Sequence, residues 1–312
     1  MTPIRRQNLF WLILYAIGSI AFNLAYWRRT ADLDKATLGA LTAFKAGTPY
    51  QYRILLPAIA HVIHAISPLS LPSIYFTFSV FATFGLILAF RGYLALFFPV
   101  NTATRGAIWI LYPLLWNHVL LNILFYPSDI PSILFFTLGL RFLVERRWAV
   151  YYPLFILATF NKETTCFLTV AMIALYWDRD RPARLALHVA AQAIVWIAIK
   201  LLLGHLFAAN SGEGTFEHHM RVNLSFLASF MLRPTTWNWR RVLIFGGAWA
   251  LVPLEWSQLP QAMRRLAWVA APFAVGMFCV GVLSEVRVFG ELDPIILAPA
   301  MYGLWIRRRS HI

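Results

Sequence analysis

Charge is scarce in this sequence. Only 13% of its 312 residues are Asp, Glu, Lys or Arg, against roughly 25% in an ordinary soluble domain. Acids are scarcer than bases, 13 against 27, for a formal net charge of +14 at pH 7. Cysteine is nearly absent, and Cys166 and Cys279 both lie inside apolar runs, which argues against a disulfide framework or a cysteine zinc site. Long polar stretches are missing too, so nothing reads as a separate soluble domain. The basic excess does not imply nucleic acid. The bases come in short clusters between apolar runs, as membrane anchoring gives, and no DNA- or RNA-binding motif accompanies them.

What is present is apolar: 60% of the chain is hydrophobic, with several runs near the ~20 residues that cross a bilayer. The whole of 1–312 therefore reads as a single transmembrane domain, all-α, a polytopic bundle of about ten transmembrane helices. The expected spans are 8–27, 73–97, 107–126, 129–144, 149–160, 164–177, 184–205, 241–256, 267–284 and 292–306. The first follows Arg5 and Arg6 like a signal peptide, but Trp27, Arg28 and Arg29 follow it instead of small residues, so an uncleaved first helix is expected.

The run 54–66 decides sidedness. It has about 13 residues, short for a span, and carries Pro57, His61 and His64. If it crosses, the clusters at 145–147, 178–184 and 307–309 fall outside. If it lies along the outer surface, they fall inside with Arg5, Arg6, Arg264 and Arg265. The positive-inside rule selects the second arrangement, with both termini cytoplasmic. Asp32, Asp34, Asp129, Glu163, Glu213, Glu217, Glu285, Glu291 and Asp293 then share the outer face, leaving Glu145, Asp178, Asp180 and Glu255 inside.

The outer loop 28–72 carries Leu33, Thr37, Ala40, Leu41 and Phe44 on one helical stripe, which predicts an interfacial helix, with 54–66 as a second. Thr30 or Asp32 can cap its start, and Gly47 with Pro49 can end it. One Asp here is explained by capping; the pair Asp32-Leu-Asp34 cannot both fill the same cap position.

These residues carry a resemblance. Asp32-Leu-Asp34, Gly47-Thr-Pro-Tyr50 and Tyr52-Arg-Ile-Leu-Leu-Pro57 together resemble the first outer loop of the glycosyltransferase C superfamily, in its mannosyltransferase-like branch. These are integral membrane enzymes that use polyprenyl-phosphate sugars. The resemblance implies a glycosyltransferase that moves a sugar from a polyprenyl-phosphate donor to a lipid or glycan acceptor at the non-cytoplasmic face. It implies Asp32 or Asp34 as the catalytic carboxylate. No cofactor is required by the sequence, and a divalent cation is compatible with it. The expected partners are the donor, the acceptor and membrane lipids, with no nucleic acid. The expected setting is a bacterial or archaeal plasma membrane, the eukaryotic endoplasmic reticulum being the other candidate.

Further clusters lie on the same face. In Tyr126-Pro-Ser-Asp129, Asp129 either starts the helix that opens Ile130-Pro131 or binds a sugar hydroxyl or a metal. Asn161-Lys-Glu-Thr-Thr165 puts both charge signs in a very short turn, which is costly between spans unless they meet water or a partner; Lys162 suits a lipid phosphate and Glu163 a neighbouring cation or the substrate. In Ser284-Glu-Val-Arg287-Val-Phe-Gly-Glu291-Leu-Asp293, Arg287 offers a planar fork for phosphate. Glu291 is a substrate-binding candidate, and both acids suit the start of a helix at Pro294. Arg53 and Arg221 are further phosphate-binding candidates. The long outer loop 206–240 adds Glu213, Glu217, His218, His219, Arg221 and Arg233, with His218 or His219 able to move a proton. Within the spans, Asn117 and His118 need partners or a cavity, and Lys200 can snorkel.

The rival reading is a membrane transporter or lipid flippase, which would place ionisable groups near the midplane and often repeat its halves; no internal repeat is visible. A non-catalytic scaffold that binds a partner through its outer loops is the third.

Overall fold

The computed structural model describes residues 3–212, 218–232 and 239–310. They form an all-α structure. Four helical stretches are long and apolar enough to cross a membrane: Gln7–Arg29, Leu71–Leu94, Pro182–Leu206 and Gln261–Val280.

Helix α1 (Pro3–Arg29) packs on α4 (Leu71–Leu94), α4 on α7 (Asp129–Val144), and α7 on α8 (Trp148–Asn161). Between apolar helices in lipid, close packing and hydrogen bonds must supply what hydrophobicity cannot. Both are present. Asn23 on α1 donates to Thr83 on α4 at 2.9 Å and accepts from Ser79. Gly139 on α7 leaves room for Leu168, which would stand 2.6 Å from a Cβ there. Ser70 caps α4, its hydroxyl accepting from Ser73 N, with Pro72 in the first turn, the arrangement expected at a helix start.

The chain then runs through α9 (Phe167–Tyr176), α10 (Pro182–Leu206), α11 (Met220–Leu232), α12 (Trp239–Val242), α13 (Gln261–Ala267), α14 (Ala270–Val280) and α15 (Asp293–Ser310). The turns 145–147 and 178–181 meet through Arg146 and Asp180 at 2.9 Å, and Arg265 grips Asp178. The start of α7, the end of α8 and the start of α15 gather at the opposite end.

Several expected spans are not continuous α-helices, two of them most clearly. Residues 107–126 change pitch repeatedly: after α5 (Val100–Gly106) come a 3₁₀ stretch Ala107–Ile110, α6 (Leu111–Leu114) and a π-helical stretch Leu115–Leu120. Pro113 lacks the N–H that an α-helical ladder needs, which favours such shifts. Residues 241–256 are broken at Phe245, Gly246 and Gly247, all at positive φ. Gly246 is required there twice over: its φ is +62°, and a Cβ would sit 2.3 Å from the Tyr112 ring.

The segment 28–72 is also more broken than its stripe predicts. A short strand β1 (Ala31–Asp32) pairs in parallel with β2 (Leu124–Phe125), then a 3₁₀ turn at Asp34–Ala36 leads into α2 (Leu38–Thr42). Asp32 Oδ2 accepts from Leu38 N at 3.4 Å and Thr37 Oγ1 from Ala40 N at 3.2 Å, so polar side chains divert the backbone before the stripe can form one helix. The run 54–66 is helical, as α3 (Leu55–Ile66). Within 206–240, α11 lies against α14: Asn223 donates to Phe278 O at 2.8 Å and Gly281 O at 2.7 Å and accepts from Leu283 N at 2.9 Å.

Candidate functional site

At the end where α7 and α15 begin and α8 stops, a cavity of about 90 Å³ opens, lined by Arg53, Lys162, Glu163, His219, Glu285 and Arg287, with Tyr50 and Tyr126 among the rings beside them. That is several times what one buried water needs.

Each charged group arrives by a local backbone event. Lys162 is the residue after α8, extended at φ −161° and ψ 143°, so its side chain turns off the helix axis. Asp129 opens α7, where a carboxylate suits the helix dipole. Arg287 lies in the 3₁₀ segment Val286–Leu292 that precedes α15. Arg53 follows the 3₁₀ turn Tyr50–Tyr52.

The floor is a buried ionic lattice. Asp129, 1% exposed, takes Lys162 Nζ at 3.3 Å on one oxygen and Arg287 Nη1 at 2.8 Å on the other. Lys162 Nζ also meets Glu291 Oε1 at 3.0 Å, and Thr164 Oγ1 donates to the same oxygen at 2.6 Å. Arg287 Nη2 bonds Glu285, and its guanidinium carbon stands 3.4 Å from the Tyr126 ring centroid, a cation–π contact in addition to two ion pairs. Ions this deeply buried persist only when each is paired and hydrogen-bonded. Beside the lattice, Arg53 Nη2 bonds Glu163 Oε1 at 2.9 Å, and Trp196 Nε1 holds the Glu163 carbonyl at 2.9 Å.

The electrostatics follow from this pairing. Burial alone would push the Glu163 carboxyl up. The Arg53 guanidinium, and beyond it the Lys200 ammonium, overcome that and hold it at about 2. Burial works against the charge on Arg287, but Asp129 and then Tyr126 and Glu285 more than offset it and raise its pKa. Arg53 behaves likewise beside Glu163. The cavity wall thus presents three fixed cations and two carboxylates, with Asp129 and Glu291 anchoring the cations from behind.

Beneath the lattice lie the two polar residues of the π-helical stretch. Asn117 Nδ2 approaches Asp293 Oδ1 at 3.4 Å, and its Oδ1 accepts from Phe245 N at 3.1 Å. His118 is fully buried and stands edge-on to Tyr26 at 6.0 Å between centroids. A Cβ on Gly290 would come 3.2 Å from the His118 ring, so the glycine lets the loop before α15 settle onto it.

The structure brings together Lys162, Arg287, Arg53, Asp129, Glu163 and Glu291. It leaves others apart. Asp32 and Asp34 are exposed and neither lines the cavity, although β1 joins their loop to β2, just ahead of Tyr126. His218 and Arg221 are exposed and do not line it either; the neighbouring His219 does. Glu213, Glu217 and Arg233 lie outside the described residues. Glu285 and Tyr126 are the site groups that residue type alone did not single out. Their signal was adjacency: Glu285 stands two residues from Arg287, and Tyr126 three before Asp129. Among the described residues no three His, Cys, Asp or Glu side chains converge as a metal site needs.

No family model, no curated protein and no solved structure matches this chain.

Proposed function

We propose that this chain is a polytopic membrane protein of about ten crossings and a glycosyltransferase, moving a sugar from a polyprenyl-phosphate donor to a lipid or glycan acceptor at the non-cytoplasmic face. The observation that carries the proposal is the convergence of Arg53, Lys162 and Arg287, from three separate loops, on one cavity at one end of an apolar helical bundle.

The chemistry asks for what that wall holds. In transfer, the bond between the sugar's anomeric carbon and the phosphate oxygen breaks, a bond to the acceptor oxygen forms, and the acceptor proton must leave. Negative charge grows on the departing phosphate, and cations fixed in advance around it lower the barrier. Lys162 and Arg287 are fixed by Asp129 and Glu291 from behind, so they need not reorganise as that charge develops. A phosphate that takes Arg287 Nη2 displaces Glu285 from it. Glu285 is partly exposed and lines the cavity, so we assign it as the carboxylate that accepts the acceptor proton. Glu163, held at about 2 by Arg53, is too weak a base and serves to position Arg53. Asp32 and Asp34, outside the cavity wall, are the competing assignment.

The test is transfer from a panel of radiolabelled polyprenyl-phosphate sugars by the full chain in proteoliposomes. Transfer by the unaltered chain, lost in Glu285→Gln and kept in Asp32→Asn with Asp34→Asn, is the expected result. Transfer that survives Glu285→Gln but not the Asp variants returns the base to the first outer loop. No transfer from any donor, with polyprenyl-phosphate crossing the bilayer instead, would replace the enzyme by a transporter.

A further inference from the structure

A second opening lies beside Lys200. It is a groove of about 400 Å³ between α10 and the first outer loop, and it shares no lining residue with the cavity above. Its polar lining includes Lys200, His205, Thr48 and Asn210, and its rings are Tyr52 and Phe207. Lys200 lies 6% exposed with its ammonium 4.9 Å from the Tyr52 ring centroid. Asn210 Nδ2 bonds Phe44 O at 3.1 Å and Ala46 O at 2.8 Å, and Thr48 N bonds Ser211 O at 2.7 Å. The groove wall is therefore built into the fold.

The helix beneath supplies the second observation. α10 exposes Leu187, Ile194 and Leu201 at spacings of seven residues, with Ile197 between them, which puts them along one side. That apolar stripe runs up α10 and ends in the groove, at Leu201, next to Lys200. An apolar track that ends at a cation recessed among aromatic rings fits a long-chain molecule with an anionic head.

We propose that this groove is a binding site for a lipid phosphate, its headgroup against Lys200 and His205 and its chain along the Leu187–Ile194–Leu201 stripe. The site does not depend on the transfer reading; only a role as the acceptor lipid's seat would. Lys200 also helps hold Glu163 ionised, so an anion in the groove acts on the same carboxylate that positions Arg53.

Gly204 provides the decisive variant. It lines the groove, and a Cβ at this position meets nothing within 4 Å, so Gly204→Leu fills the groove without disturbing the fold and improves helix propensity. The measurement is native mass spectrometry of the full chain released from micelles doped with phosphatidic acid or with phosphatidylcholine, with inorganic phosphate added in a third arm and no sugar donor present. The chain is expected to retain one phosphatidic acid molecule in preference to phosphatidylcholine. Gly204→Leu should abolish that retention and Lys200→Gln weaken it about tenfold, the size of one lost charge-assisted contact. Equal retention by a folded Gly204→Leu, equal retention of phosphatidylcholine, or complete displacement by inorganic phosphate would each overturn the proposal. Because no donor is present, this result and the transfer result stand or fall separately.

Discussion

Replacing Arg287 by glutamine separates a functional lattice from a decorative one. The guanidinium holds Asp129 at 2.8 Å, bonds Glu285 and covers the Tyr126 ring at 3.4 Å. Breaking a buried ion pair from one side costs about 3–5 kcal/mol, because the remaining charge stays buried. Here Asp129 keeps Lys162 at 3.3 Å, so the lower end applies, about 3 kcal/mol. The lost cation–π contact adds about 1 kcal/mol. Arg287→Lys keeps the charge and spares Asp129, but one ammonium cannot reproduce the fork and the ring contact together; about 1–2 kcal/mol is expected. On the proposed transfer, Arg287→Gln removes a fixed cationic donor from the leaving phosphate, which costs about 10²–10³-fold in rate, and Arg287→Lys should cost less. Stability is read from denaturant melts of the full chain in nanodiscs, and transfer from initial rates at saturating donor. A variant Arg287→Gln as stable as the parent to within about 0.5 kcal/mol, the scatter of innocuous surface changes, would refute the buried bridge. Loss of stability with unchanged transfer would leave the bridge standing and remove its catalytic role.

The Arg53–Glu163 pair predicts a pH dependence. Glu163's pKa falls from its ordinary 4.5 to about 2 on folding, so its contribution, about 3 kcal/mol as an upper figure, is complete above pH 4.5 and is lost as pH falls toward 2. Acid melts of the parent should be steeper in that window than those of Glu163→Gln; identical slopes would contradict the pairing. Gly246→Ala should destabilise by about 2 kcal/mol or more, from its positive φ and the 2.3 Å approach to Tyr112, and a neutral melt would contradict the kinked path. Cysteines placed at Asp34 and Glu285 should both react with an impermeant thiol reagent from the same side of sealed vesicles, since β1 pairs with β2 just ahead of Tyr126 and Arg287, which bonds Glu285, lies over the Tyr126 ring; labelling from opposite sides would end the surface-chemistry reading.

Much was legible in the sequence because lipid imposes simple rules. Helix length and apolar composition located α1, α4 and α10, and the expected span 267–284 overlaps the 261–280 stretch; 129–144 was read with the bounds that α7 has. Charges of both signs in a turn as short as Asn161-Lys-Glu are costly unless they are paired, which is why Lys162 and Glu163 stood out; Arg287 stood out for its planar fork beside acids in another loop. Where polar side chains or glycines compete with the helix, local pattern failed. The stripe from Leu33 to Phe44 broke at Asp32 and Thr37, and the apolar run 241–256 broke at two glycines that turn left-handed to pass Tyr112.

Composition and periodicity, by themselves, determined an apolar, helical chain and the loops in which its charge collects. They could not rank those charges, since Asp32 and Asp129 are the same residue type beside similar neighbours. Tertiary structure ranked them. It left Asp32 exposed in the short strand β1, accepting from Leu38 N, and closed Asp129 between Lys162, 33 residues away, and Arg287, 158 residues away. The physical reason is distance in sequence: charges separated by water and salt are screened, and an ion pair becomes strong only at contact in a water-poor interior, which only folding provides for groups so far apart along the chain.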